Sequence, residues 1–260
     1  MFEKINAIIT SIRQKKPLVL NITNDVTMDF IANGILSVGA SPIMSKAEQE
    51  MEDLIRISSA IVMNPGTLDE RFIRLCDRVA EIANQLNKPI ILDPVGAGAT
   101  RYRTEANMKW IERYNISILR GNASEILALA GETGTTKGVD STAESDSVIE
   151  QAKLLSRAFS ATVLVSGKTD VVVDDNRVET FQRGSAWMPM ITGSGCLLSA
   201  VVAAFHAVEN NRFEAAASAA VFYGVCGEIA ASQAEGPGSF KVKFLDALHL
   251  TPEQSWYEKN

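Results

Sequence analysis

The sequence predicts an α/β domain of three layers, with a mostly parallel central sheet and helices on both faces. Three observations lead there. Short runs rich in Val and Ile are almost continuously apolar, as strands covered on both faces are. Each run is followed by a longer amphipathic segment, and β-α-β-α order calls for parallel crossovers. The 260 residues, 46% of them hydrophobic, suit one large α/β domain or two small ones. There is no linker, internal repeat or low-complexity tract, so one domain over residues 1–260 is expected.

The elements follow in order. MFEKINAIITSIRQKK mixes acid and base among apolar residues and has no long apolar stretch, so it reads as a short amphipathic helix and not a signal peptide. PLVLNI (17–22) is the first strand, and helical patterns follow over 25–38 and 46–57. AIVMN (60–64) and PIILD (89–93) are strands, separated by a helix over 68–87. A helix over 104–114 leads to the strand ISILR (116–120), and a helix over 122–130 comes next. GETGTTKGVDST (131–142) is the most loop-like part. A helix over 145–159 precedes the strand TVLVS (162–166). DVVVDDNRVETFQ (170–182) reads as a hairpin turning at Asp175–Asn176, an antiparallel addition to the sheet. Two helices, 195–209 and 213–234, close the chain.

The bulk numbers exclude several classes. The net charge is -6, and no run of Lys and Arg is longer than Lys15–Lys16, so the chain lacks the basic face that nucleic acid needs. Its three cysteines, Cys76, Cys196 and Cys226, have no CxxC spacing, which argues against a disulfide framework and a zinc knuckle. A reducing, cytoplasmic setting is expected. The apolar stretch AAASAAVFYGVCG (215–227) is too short and too rich in Ala and Gly to span a bilayer, so no membrane is expected. GETGTTKG (131–138) lacks the Gly-Lys-Ser/Thr ending of a P-loop. GAGATR (96–101) and GSGCLL (193–198) lack the third glycine of a dinucleotide fingerprint. There is no G-x-S-x-G, and His206 and His249 lie in apolar or terminal segments, which argues against a Ser-His-Asp hydrolase.

In open α/β sheets ligands sit outside the carboxyl ends of the strands. Those ends read Asn21–Asn24, Asn64-Pro-Gly, Asp93-Pro-Val-Gly-Ala-Gly, Arg120-Gly-Asn-Ala-Ser-Glu and Ser166-Gly-Lys. Any one of them also has the composition that a turn requires. Thr192-Gly193-Ser194-Gly195-Cys196 enters an apolar helix. Its N–H groups and the positive helix end would form an anion hole, and the same glycines equally suit a tight turn into a helix. Cys196, in the first helical turn, is either a thiol of lowered pKa or a small buried hydrophobe. Asn122 and Glu125 have the spacing of a capping box. Glu125 and Asp93, two acids at strand ends facing an anion hole, also suit a Mg-nucleotide.

At these residues the chain resembles the hydroxyethylthiazole kinase family of the ribokinase-like superfamily. The resemblance runs through nearly the whole length. It is carried by NITNDVTMDFIANGILSVGASPIMS (21–45), LDPVGAGATRYRT (92–104), RGNASEILAL (120–129) and TGSGCLLSAV (192–201). Asn-x-x-Glu and Gly-x-Gly-[Asp or Cys] are superfamily-wide; the N-terminal stretch and Cys196 narrow the choice. The resemblance implies a three-layer ribokinase-like fold. It implies transfer of the γ-phosphoryl of ATP to the primary alcohol of hydroxyethylthiazole, giving the thiazole phosphate used in thiamine synthesis. It implies a homotrimer whose active sites are shared between two subunits. By position, Cys196 stands where most of the superfamily has an aspartate base, as a weak base or as a group orienting the hydroxyl. The resemblance also implies that Gly193, Ser194 and Gly195 hold the transferring phosphoryl group, and that Asp93 and Glu125 organise Mg²⁺. Arg120 and Ser166 would meet the nucleotide. Asn24, Met44 and the backbone of Gly193 would line the thiazole pocket. Ser194 departs from the Thr or Ala more usual there; being small, it is expected to leave the function unchanged.

Overall fold

The computed structural model describes residues 1–131, 142–175 and 177–253. The strands are β1 (Leu18–Ile22), β2 (Ser41–Met44), β3 (Ala60–Met63), β4 (Ile90–Leu92), β5 (Ile118–Asn122), β6 (Thr162–Ser166), β7 (Asp170–Asp174) and β8 (Arg177–Phe181). They form one sheet in the order β2-β1-β3-β4-β5-β6-β7-β8. The pairs from β2 through β6 are parallel, and β7 and β8 add an antiparallel hairpin at one edge. The helices are α1 (Phe2–Lys15), α2 (Met28–Val38), α3 (Met51–Ile57), α4 (Glu70–Gln85), α5 (Arg101–Arg113), α6 (Ala123–Leu129), α7 (Thr142–Phe159), α8 (Ser194–His206), α9 (Arg212–Gln233) and α10 (Pro237–His249).

The period-two alternation of a strand divides each one between two cores. Val19, Val62, Ile91, Ile118 and Leu164 face a layer built from α1, α2, α8, α9 and α10. Leu20, Ile61, Ile90, Leu119 and Val163 face the layer of α3 to α7. The expected three-layer arrangement, with a mostly parallel sheet, is what the chain adopts.

Several expectations shift. β2 is absent from the sequence reading because it is four residues long and contains Pro42; proline is tolerated only where a strand lies at a sheet edge or start, and β2 is an edge. The helix expected over 46–57 is a 3₁₀ turn at Glu48–Glu50 followed by α3. Among the described residues three helices, α8, α9 and α10, follow the hairpin where two were expected. α10 begins with Pro237 at its first positions and buries Phe240, Phe244, Ala247 and Leu248, a spacing that marks one helical face. α9, with 22 residues, is long and apolar enough by length and composition to cross a membrane, but it is largely buried within the fold. It is the apolar core helix of this layer and coincides within one residue at each end with the helix expected over 213–234, the stretch 215–227 lying inside it. The loop 131–142 falls mostly outside the described residues, as does Asn176 of the expected hairpin turn.

The chain leaves β1 on one side to form β2 and returns on the other to form β3. That reversal is a topological switch point, and it places the ends of β1, β3, β4, β5 and β6 side by side.

Candidate active site

The start of α8 faces those strand ends. Gly193 has φ 91°, a left-handed conformation that side chains other than glycine rarely adopt. A Cβ there would stand 2.7 Å from Cγ2 of Thr27. No side chain caps α8, so its first N–H groups and its positive end are left for an anion. The helix is anchored rather than mobile: Leu197 to Phe205 are all buried. Tyr223 Oη of α9 donates to the Ser194 carbonyl at 2.6 Å.

Arg120, buried on β5, lies across this helix start. A Cβ on Gly195 would approach its Nη1 to 2.9 Å, so the glycine is what lets the guanidinium close on the helix. Nη1 is 3.5 Å from Asp93 Oδ2, and Nη2 donates to Ser166 Oγ. Nε has no partner among the described residues. A cleft of about 740 Å³ opens on this side, bounded by Arg120, Ser166, Lys168, Asp170, Ser194 and the segment 182–189. Its volume falls in the range of small-molecule sites. Arg183 and Glu228 pair at 2.7 Å and clasp that segment to α9. Asp170 Oδ1 accepts from Gly167 N–H at 3.0 Å, and burial pushes its carboxyl pKa up to about 6.

The two acids meet as expected at neighbouring strand ends. Asp93 follows β4, and its Oδ2 accepts from Asn64 Nδ2 at 2.8 Å and Ser199 Oγ at 2.7 Å. Its Oδ1 is buried with no partner among the described residues. Glu125 completes the capping box of α6: its Oε2 accepts from Asn122 N–H at 2.9 Å, and Asn122 Oδ1 accepts from Glu125 N–H at 2.9 Å. Its Oε1 accepts from Gly96 N–H at 3.0 Å, so it ties the loop after β4 to the helix after β5. Burial raises both pKa values; for Glu125 the charge of Asp93 adds to it. Among the described residues no three His, Cys, Asp or Glu side chains cluster to hold a metal. Mg²⁺ does not require such a cage, because water and phosphate oxygens complete its shell. The unpartnered Asp93 Oδ1 and the repulsion between two neighbouring acids fit a divalent cation.

Cys196 is partly buried on the other side of the helix start. Asn24 Nδ2 donates to its Sγ at 3.5 Å and to Asn64 Oδ1 at 2.9 Å. Burial, and then the charge of Asp93, push the thiol pKa up. Of the two readings of Cys196, a thiol of lowered pKa or a small buried hydrophobe, the upward direction of this shift favours the buried, neutral thiol. Met44 ends β2 level with Asn21 on β1, packed against the same core layer as Cys196.

The contacts thus join Asn24, Cys196, Asp93, Arg120, Ser166 and Gly195 in one continuous group, with Glu125 beside Asp93. Three residues without an assigned role in the sequence belong to it. Ser199 is a lone hydroxyl within the apolar run LLSAVVAAF, and that isolation was its signal. Asn64 stands in a strand-end loop. Arg103 donates to the carbonyls of Pro65 at 2.7 Å and Gly66 at 3.0 Å; nothing local marks it.

Comparison with known proteins agrees with this geometry. The family model described as the hydroxyethylthiazole kinase family matches residues 9–253. A hydroxyethylthiazole kinase of Leptospira biflexa serovar Patoc is 46% identical over 238 residues, covering 92% of this chain and 89% of that protein. The solved hydroxyethylthiazole kinase structure from Pyrococcus horikoshii OT3 superposes with a TM-score of 0.88 at 40% identity, covering 95% of this chain and 93% of that one. A ribokinase-like superfamily protein of Enterococcus faecalis, at 12% identity and a TM-score of 0.66 over 95% of both chains, shares the fold. The chain belongs to the hydroxyethylthiazole kinase family.

Proposed function

We propose that the protein transfers the γ-phosphoryl group of ATP to the primary alcohol of 4-methyl-5-(2-hydroxyethyl)thiazole, giving the thiazole phosphate used in thiamine synthesis. Family membership supports this, and one observation carries it: the uncapped start of α8 lies between a cleft bearing a buried arginine and the partly buried Cys196 thiol with its Asn24 partner. Phosphoryl transfer needs in-line positioning and stabilisation of spreading negative charge more than covalent chemistry. The N–H groups of Gly193, Ser194 and Gly195 take the transferring group. Arg120 pairs with the phosphates from the cleft side, with Ser166 beside it. Asp93 and Glu125 would hold Mg²⁺, which would neutralise phosphate charge. Asn24, Met44 and the Gly193 backbone line the thiazole pocket. Cys196, being neutral, orients the hydroxyl and takes no part as an ionised base.

The single domain over 1–260, a cytoplasmic location and a homotrimer with shared active sites are part of the same reading. Val26, two residues from Asn24, and Met190, three before Gly193, are 71% and 61% exposed. Apolar side chains so placed beside the acceptor pocket suit cover by a second copy. Light scattering during gel filtration tests the assembly; a mass of one chain would reject it. The function is tested by a coupled ADP-release assay with MgATP and hydroxyethylthiazole, run beside hydroxymethylpyrimidine and a blank. Thiazole-dependent ADP release is expected. Release only with the pyrimidine, or none with either, would reject the reading.

A further inference from the structure

Asn64 is fully buried, and its side chain faces two sites at once. On one side its Nδ2 donates to Asp93 Oδ2 at 2.8 Å. On the other its Oδ1 accepts from Asn24 Nδ2 at 2.9 Å, and from Gly66 N–H at 3.1 Å. The same Asn24 amide continues to Cys196 Sγ at 3.5 Å. Two amides in series, Asn64 and Asn24, therefore link the acid of the phosphate side to the thiol of the acceptor side. The direction of the chain is set by chemistry. A carboxamide both donates to a carboxylate and accepts from another amide; an ionised aspartate has no hydrogen to give and an aliphatic side chain has neither group. The turn after Asn64 is itself fixed, because Arg103 grips the carbonyls of Pro65 and Gly66.

Ser199 provides an internal contrast. It also donates to Asp93 Oδ2, at 2.7 Å, but the hydrogen bonds of Asn24 and Cys196 do not include it. With Oδ2 occupied by Asn64 and Ser199 and 3.5 Å from Arg120 Nη1, Oδ1 is the oxygen without a partner among the described residues. Asn64 and Ser199 together set the carboxylate plane, and Asn64 alone sets it relative to the acceptor pocket.

We infer that Asn64 is a positioning residue that locks Asp93 and the Asn24–Cys196 pocket to one another, so that the metal-nucleotide and the alcohol are held at a fixed separation. The inference rests on the phosphoryl-transfer reading of the site. Partners that orient a metal-holding side chain are worth roughly 10–100-fold in metal affinity, and the structure adds a second consequence that Ser199 lacks.

The test compares Asn64→Ala, Asn64→Asp and Ser199→Ala with the parent protein, by two readouts that need no turnover. One is the Mg²⁺ dependence of ATP binding by calorimetry. The other is the rate of Cys196 alkylation by iodoacetamide at one pH, followed by peptide mass spectrometry; Cys76 and Cys226 are buried and serve as internal references. Asn64→Ala should raise the Mg²⁺ requirement roughly tenfold or more and also change the alkylation rate severalfold. Ser199→Ala should raise the Mg²⁺ requirement alone. Asn64→Asp, which sets a second carboxylate against Asp93, should be at least as impaired as alanine. If Asn64→Ala does not fold, Asn24→Ala tests the link from the other end, since it touches no acid yet should raise the Mg²⁺ requirement. Indistinguishable profiles for the Asn64 and Ser199 variants, or a change in only one readout for Asn64→Ala, would overturn the inference. An inactive parent protein would instead reject the function proposed above and leave both readouts in place.

Discussion

Asp170→Asn separates the electrostatic cost of the cleft from its chemistry. Asp170 opens β7, is 8% exposed, and has its carboxyl raised from 3.8 to about 6, chiefly by burial. A carboxyl whose folded pKa exceeds its unfolded one binds more protons in the folded state. Stability therefore falls as pH rises from about 4 to about 6, and is level above that. At about 1.4 kcal/mol per tenfold change in proton affinity, the ionised group costs about 3 kcal/mol at neutral pH. Asparagine keeps the size and can still accept the Gly167 N–H, but carries no charge. Urea unfolding of both proteins at pH 4, 5, 6 and 7 should show the variant more stable by ~3 kcal/mol at pH 7, with the gap closing towards zero at pH 4. Asp93 and Glu125 add their own slopes, and these appear equally in both proteins. A gap that stays constant across the range would refute the reasoning, because a constant gap reflects packing and not ionisation.

Cys196→Ser keeps a small neutral hydrogen-bonding group beside Asn24, so it should fold normally and lose at most roughly tenfold in turnover, about 1.4 kcal/mol; a trapped phosphocysteine by mass spectrometry, or complete loss, would contradict an orienting role. Glu125→Gln can keep the capping box through its one amide oxygen but loses the Gly96 N–H bond along with one charge, so kcat should fall roughly 10²–10³-fold with a raised Mg²⁺ requirement; near-parental turnover at limiting Mg²⁺ would take Glu125 out of the mechanism. Gly34→Ala would place a Cβ 2.3 Å from Cδ1 of the fully buried Leu197, next to Cys196. Overpacking of ~1–3 kcal/mol, less the ~1 kcal/mol that alanine gains in a helix, should lower stability by about 0–2 kcal/mol and reduce activity through the displaced start of α8; thermal unfolding with the ADP assay checks both.

The legible parts of the fold were those where burial is two-sided. TVLVS coincides with β6 because a strand in the sheet interior must be apolar at nearly every position. β2 was hidden by being a short edge strand with Pro42, and α10 was passed over although Pro237 and the Phe240–Phe244 spacing mark it. In the site, Gly193–Cys196, Asp93, Arg120 and Glu125 were legible because each follows a strand or opens a helix, where position alone implies a role. Asn64, Ser199 and Arg103 act through contacts 29, 106 and 38 residues away in sequence, which no local spacing encodes. The Cys196 thiol shows the same division. The local feature, a helix N-terminus, favours thiolate, but the deciding terms are burial and Asp93, and both arise only from the folded chain.

That neutral thiol also accounts for the division of charge across the site. Burial raises the cost of ionising Asp93 and Glu125, the charge of Asp93 adds to the cost for Glu125, and Arg120 compensates for both from the cleft side. A further carboxylate at position 196 would stand close enough to Asp93 to feel its charge, as the thiol does, and would compete with the phosphoryl group for the start of α8. The groups around Cys196 are instead amides and hydroxyls: Asn24, Asn64 and Thr27, the last with a buried Oγ1 that has no partner among the described residues. Formal charge therefore gathers where a nucleotide phosphate would lie, and neutral polar groups gather where an alcohol would. On the reading proposed above, an uncharged acceptor would need no counter-ion in the second half, and its hydroxyl would meet hydrogen-bonding groups that do not pull charge away from the helix end.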